Sequence, residues 1–365
     1  MTIDAKLVAT LGAIFFAYCS YSIWTSGRMH RGEFSSSLGR LADQLREANK
    51  TSSDGTGESS AGSSPYEPSV ADVLVIKAML NKALSIPPEI VDTIVDIAEY
   101  WPHTTTFSDS TVVAGTNYPA ENVFLLRSPP LGLHNWERVS HTETSSMDKK
   151  PPRPQPANEE FSTDDFQELI ASPIPMLAQP CRRIVFTIRS HDQGWGGEFG
   201  NHGTYNGSWT WCDVGLERWC KPPTPTQTDA TGQQTQQQHD RPTLQLDDLC
   251  TVLPEVEWDP EAKAHVFVHP LHPRDDLKIQ CNVMAEREPI LHRVVWSYTD
   301  DIDPERDAEA AAQQLASKGR GTATGNGRFV RDLKLGDVVT IWAKARFQGW
   351  SNHVESVKMD VYYAV

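Results

Sequence analysis

Hydrophobic positions follow three different spacings along this chain, and each marks a different kind of element. From Leu7 to Gly27 there is no charged side chain and no polar face. A run of that length, at about 1.5 Å per residue, crosses the ~30 Å apolar core of a bilayer. It predicts an N-terminal transmembrane helix, with Tyr18, Tyr21 and Trp24 suited to the headgroup level. A cleaved signal peptide is the competing reading, but Lys6 alone makes a poor basic region and the aromatics crowd any cleavage site.

Helical spacing comes next. Leu38, Leu41 and Leu45 make one narrow apolar stripe, and the Ser/Gly-rich stretch to residue 68 lacks the apolar surface to order, so 32–68 reads as a short helix and tether. Residues 69–102 carry two broader stripes. Val70, Val73, Leu74, Ile76, Met79, Leu80 and Leu84 form the first; Ile90, Val91, Ile94, Val95 and Ile97 form the second, started by Pro87-Pro88 and stopped at Trp101-Pro102. Residues 103–180 read as irregular apart from a strand at Val123–Arg127, with PPRPQP at 151–156 as an extended linker.

From residue 181 the period becomes two. Ile184, Phe186 and Ile188 alternate with Val185, Thr187 and Arg189, and further strands are expected at 208–214, 265–268, 277–283, 291–298, 338–347 and 354–363. Within 338–347 the expected core face is Val339, Ile341, Ala343, Ala345 and Phe347, with Trp342, Lys344 and Arg346 outward. An alanine-rich helix over 304–318 ends at Gly319, and the Gln/Thr/Pro-rich stretch 221–248 is an inserted loop. The fold class is therefore mainly β: an antiparallel, jelly-roll-like β-sandwich over 181–365, preceded by a transmembrane helix (1–31) and a helical pair.

Charge sets orientation and limits partners. Arg28, Arg31 and Arg40 follow the apolar run while only Lys6 precedes it, which places the bulk in the cytosol. In this the chain resembles signal-anchored proteins of the mitochondrial outer membrane, and the endoplasmic reticulum would serve equally. The sequons at Asn49 and Asn206 would matter only in the opposite orientation. A net charge of −15 argues against nucleic acid as a partner. The six cysteines show no CxxC pair and no metal-ligand spacing, so buried reduced thiols are expected and no cofactor is implied.

Two stretches carry family resemblances. Ile86-Pro87-Pro88-Glu89-Ile90-Val91-Asp92-Thr93-Ile94 resembles the opening of an F-box, which would imply a ubiquitin-ligase substrate adaptor; the later F-box helices are missing after His103. Phe329 to Val339 (FVRDLKLGDVV) resembles a turn of galactose-binding-like jelly rolls, including the sandwich that follows the F-box in sugar-recognising adaptors. It is also similar to a C-terminal domain found in fungal proteins of unassigned function. The resemblance implies a sugar- or protein-recognising sandwich.

One internal echo suggests where a ligand would bind. Strand 184–190 runs into His191-Asp192-Gln193-Gly194-Trp195, and strand 338–347 runs into Gln348-Gly349-Trp350-Ser351-Asn352-His353. Strands running the same way would bring His191, Asp192, Trp195, Trp350, Asn352 and His353 to one end. Flat rings beside Asp, Asn and His suit a glycan, by stacking and directional hydrogen bonds; the plainer reading makes each Gln-Gly-Trp a corner whose indole plugs the core. There is no GxSxG, P-loop or HExxH motif. The expectation is thus a membrane-anchored, non-enzymatic protein that recognises a glycan or a protein partner. Its rivals are the adaptor and a hydrolase or metal enzyme using His191 and Asp192.

Overall fold

The computed structural model describes residues 67–118, 120–133, 151–156, 159–170, 176–221, 244 and 248–365. The Leu7–Gly27 run, the Leu38/Leu41/Leu45 stripe and nearly all of the 221–248 insertion lie outside them. Among the described residues no helix is long and apolar enough to cross a membrane.

The chain divides into two compact units, one ending at Pro102 and one running from His103 to Ala364. In the first, α1 (Val70–Leu84) starts on a capping box: Ser69 Oγ accepts from the Asp72 amide and Asp72 accepts from the Ser69 amide. Ser85 closes it in the left-handed conformation. Pro88 opens α2 (Pro88–Ile97), where its missing N–H is no loss because the first turn has no acceptor for it. The two helices share an apolar cluster of Leu80, Ile86, Val91 and Ile94.

The second unit holds two five-stranded antiparallel sheets and a hairpin. Its strands are β1 (His103–Ser108), β2 (Val112–Gly115), β3 (Asn122–Arg127), β4 (Cys181–His191), β5 (Thr210–Trp219), β6 (Leu249–Leu253), β7 (Glu255–Asp259), β8 (Ala264–Val268), β9 (Lys278–Cys281), β10 (Ile290–Ser297), β11 (Val338–Ala345) and β12 (Ser351–Tyr363). The first sheet runs β1-β12-β4-β10 with β2 also on β12; the second runs β3-β11-β5-β6 with β9 also on β5; β7 and β8 pair with each other. Successive strands keep crossing between the sheets, β2 to β3, β3 to β4, β4 to β5, β9 to β10 and β11 to β12. The pairings His353↔His191, Ala345↔Thr210, Ser351↔Gly115 and Trp211↔Cys281 gather the β4–β5, β11–β12, β2–β3 and β9–β10 loops at one end.

Several expectations need correction. Residues 103–108 and 112–115 are strands, not irregular coil. β1 is HTTTFS, a polar run of β-branched threonines on the sheet edge, so no apolar alternation announces it. The alanine-rich helix is shorter than 304–318: α4 spans Ala308–Gln314, after α3 (Thr163–Ile170), and a 3₁₀ turn leads to left-handed Gly319. From the insertion, Leu244 is buried with Trp219, Phe166 and Leu335.

The main correction concerns β11. Val339, Ile341, Ala343 and Ala345 are buried as expected, but so are Trp342, Lys344 and Arg346 on the opposite face. The reason is a cover: Phe267 of β8 and His269 after it lie against the Trp342 ring at 5.3 and 5.2 Å, and Arg346 Nη2 donates to the Pro270 carbonyl at 3.0 Å. Phe347, expected in the core, is 42% exposed because the strand ends at Ala345 and Phe347 turns left-handed with φ 66°.

Candidate functional site

The two Gln-Gly-Trp loops lie side by side. Gln193 Oε1 accepts from the Ser351 amide at 3.1 Å, and the Trp195 indole lies over Gly349, where an added Cβ would come within 3.2 Å of it. Gly349 has φ +89°, so the turn itself also favours glycine. His191 and His353, opposite each other in the β4–β12 ladder, stack with centroids 4.7 Å apart, and Tyr118 meets His353 edge-on at 6.1 Å. Burial, and then the neighbouring His191, lower the pKa of His353.

The six residues expected to share a site divide into two kinds. Trp195 is 57% exposed, and Trp350, His191 and His353 are half-buried. Asp192 and Asn352 are wholly buried and face no solvent. Asp192 accepts from the backbone amides of Gly194 (2.7 Å), Ala285 (2.6 Å) and Glu286 (3.0 Å), so its carboxylate ties the β4–β5 and β9–β10 loops together. Burial raises its pKa, with those three donors working against the shift. Asn352 donates to the Trp211 carbonyl at 2.8 Å and accepts from Asn282 at 2.9 Å, joining the two sheets. Both are positioning groups, since a side chain that short, placed at the start of a buried ladder, spends its polar atoms on nearby backbone.

The same β4–β5 loop carries a ring that no periodicity or motif singled out. Phe199, in the glycine-rich GWGGEFGNHG stretch, is 86% exposed, with His202 at 5.2 Å as its aromatic neighbour. Trp209 and Phe347 pack edge-on at 4.6 Å at the same loop end, leaving both partly open. The result is a rim of aromatic rings on loops fixed from beneath by buried polar side chains.

A second feature was also missed. On the outer face of the second sheet, a cleft of about 120 Å³ runs between β5, β11 and the β7–β8 hairpin. Asp213, Lys344 and Trp342 line it, with Glu255 and Arg274 also in its wall. Lys344 Nζ contacts Asp213 Oδ2 at 3.0 Å and donates to His269 Nδ1 at 3.1 Å. An ammonium group can only donate, so against charged Lys344 the His269 ring accepts on Nδ1 and carries its proton on Nε2. The Trp211 indole donates to Asp213 Oδ1 at 2.7 Å. Burial pushes Asp213 up and Lys344 down, each toward its neutral form, and their mutual contact opposes both shifts. The signal was present: the charges inside the largely buried runs TWCDVGLERW and VVTIWAKA require buried partners.

No family model, curated protein or solved structure matches this chain. Among the described residues no three His, Cys, Asp or Glu side chains are grouped to hold a metal ion. The described cysteines are buried, and burial pushes the Cys181 and Cys212 thiols up to about 12 and Cys281 to about 11. Thiols so protonated are poor nucleophiles.

Proposed function

We propose that this chain is a non-enzymatic recognition protein, anchored through Leu7–Gly27 with its bulk in the cytosol, whose sheets form a jelly-roll-like β-sandwich that binds a glycan on its aromatic loop end. The strand order supports the fold reading. The order β1-β12-β4-β10 in the first sheet and the path β3-β11-β5-β9 through the second, where β6 also pairs with β5, fit two interleaved Greek keys with the chain crossing between them.

The observation that carries the glycan reading is the exposure of Phe199 and Trp195 on loops held by Asp192. Soluble proteins seldom leave large rings open in a group without a use for them. Flat rings suit the C–H face of a sugar, while His191, His353 and Gln193 offer polar atoms nearby. A glycan array probed with the full-length protein in mild detergent should give a limited set of bound sugars, competed by the free saccharide. An array with no bound glycan would refute this reading. Protease added to sealed organelles should remove a C-terminal tag; protection of the tag would refute the orientation.

A further inference from the structure

The edge strand of the first sheet stands beside polar groups that the protein itself leaves without partners. In β10 the buried row is His292, Val294 and Trp296. His292 is 7% exposed, and its Nε2 is sealed from solvent with no hydrogen-bond partner among the described residues. Buried polar atoms are nearly always paired, so an orphan of this kind points to a partner outside the chain.

Arg320 lies alongside. Its Nη2 donates to the carbonyl of Arg293, the neighbour of His292 in the strand, at 3.1 Å, while its Nε is buried without an acceptor. Among the described residues no carboxylate comes within ion-pair distance of this guanidinium. Burial lowers its pKa, and the opposing pull of Tyr205 and Asp300 is the weaker influence. Neither supplies a counter-charge. Burial raises the pKa of Tyr205, which is therefore neutral at pH 7. Asp300 accepts from the Ser297 amide at 2.7 Å, and its charge is met by Arg183 and Arg331.

Tyr205 completes the group. Its ring meets that of His292 at 5.9 Å and rests on left-handed Gly319, where an added Cβ would come within 2.5 Å of Tyr205 Cδ1. Its hydroxyl has no hydrogen-bond partner among the described residues. The turn that carries Gly319 and Arg320 is fixed from β9: the Cys281 amide donates to the Gly319 carbonyl at 2.7 Å, and Gln280 Nε2 donates to the Lys318 carbonyl at 2.7 Å.

We propose that Arg320, Tyr205 and His292 form a binding site for a small oxyanion of the phosphate type. Arg320 supplies the charge and has most of its N–H groups uncommitted, in the planar fork that suits phosphate oxygens. The tyrosine hydroxyl and an imidazole N–H add donors from the other side. The inference stands independently of the glycan reading, because it uses neither Trp195 nor Phe199.

Inorganic phosphate is the probe, titrated by calorimetry at constant ionic strength into the full-length protein in mild detergent. It should bind saturably at millimolar concentration. By NMR it should also raise the pKa of His292, since an adjoining anion favours the imidazolium. Arg320→Gln should lose the binding, and Trp195→Ala should leave it unchanged. Tyr205→Phe keeps the ring on Gly319 and should weaken binding at least about tenfold, the scale of one hydrogen bond to a charged group. Tighter binding of glucose 6-phosphate would assign the site to a phosphate ester and weaker binding to the free ion, both in support. No saturable heat with phosphate, or undiminished affinity in Arg320→Gln, would overturn the proposal. If Arg320→Gln does not fold, the other two readouts decide: an unmoved His292 pKa or full affinity in Tyr205→Phe would refute the site.

Discussion

At the loop end of the sheets, large rings face solvent; on the outer face of the second sheet, charges do not. Each region reverses the usual rule of burial, but in a different way. The buried charges are tied to partners, Lys344 to Asp213 and His269, and Arg346 to carbonyls and Asn122. The exposed rings of Trp195 and Phe199 have little above them, and the rigidity lies below, in Asp192 and Asn352. A residue out of place with its partners present holds the fold; one out of place without them is available to a ligand.

That contrast breaks first at β11. Ile341, on the face toward the first sheet, has no polar partner, so Ile341→Asp puts an unpaired charge in the core and should unfold the second unit in a thermal melt. Lys344→Met should cost about 3–5 kcal/mol by denaturant titration, because Asp213 is left buried and unpaired. Adding Asp213→Leu should recover most of that loss. If Lys344→Met alone is neutral, the outer face is not held by its charges.

Asp192→Ala tests the anchor beneath the rings. It leaves three partly buried amides without their acceptor and should lower stability by about 1–3 kcal/mol in the same titration while also releasing the β4–β5 loop. A matching fall in glycan binding is expected, since Trp195 depends on that loop.

Buried neutral histidine gives a smaller effect, graded with pH. Burial, and then the charge of Arg320, hold His292 down to about 4 from its ordinary value near 6.5. Between those values the unfolded chain takes up a proton that the folded chain refuses. Stability should therefore fall as pH drops from 6.5 towards 4, by at most about 1.4 kcal/mol per pH unit from this group. In His292→Gln the slope of stability against pH should be shallower over that window; an unchanged slope would show that His292 titrates freely in the folded chain.

The two regions were unequally legible in the sequence. Alternation identified the inner face of β11, Val339 to Ala345, because period two follows from the backbone alone. It could not reveal that the other face is covered as well, since the cover comes from β8 and Pro270, some seventy residues earlier in the chain. Threonine-rich β1 was missed because edge strands need no apolar face. At the loop end, the repeated Gln-Gly-Trp was enough to suggest that Trp195 and Trp350 are neighbours. Which polar residues would face inward was not legible, because Asp192 and Asn352 differ from ligand-facing groups only in where the backbone amides of residues 285 and 286 and the carbonyl of residue 211 arrive. Phe199 carried no periodic signal, lying in a glycine-rich loop whose course is set by tertiary contacts.

The most direct measurement pairs stability with binding in the double variant Trp195→Ala, Phe199→Ala. Both rings are largely exposed, so the fold should lose less than about 1 kcal/mol. Binding on the glycan array should fall below detection at a concentration that saturates the unmodified protein. A loss of about 3–5 kcal/mol, the cost of truncating buried aromatics, would make the rings part of the core. Unchanged glycan binding with unchanged stability would place recognition elsewhere on the molecule.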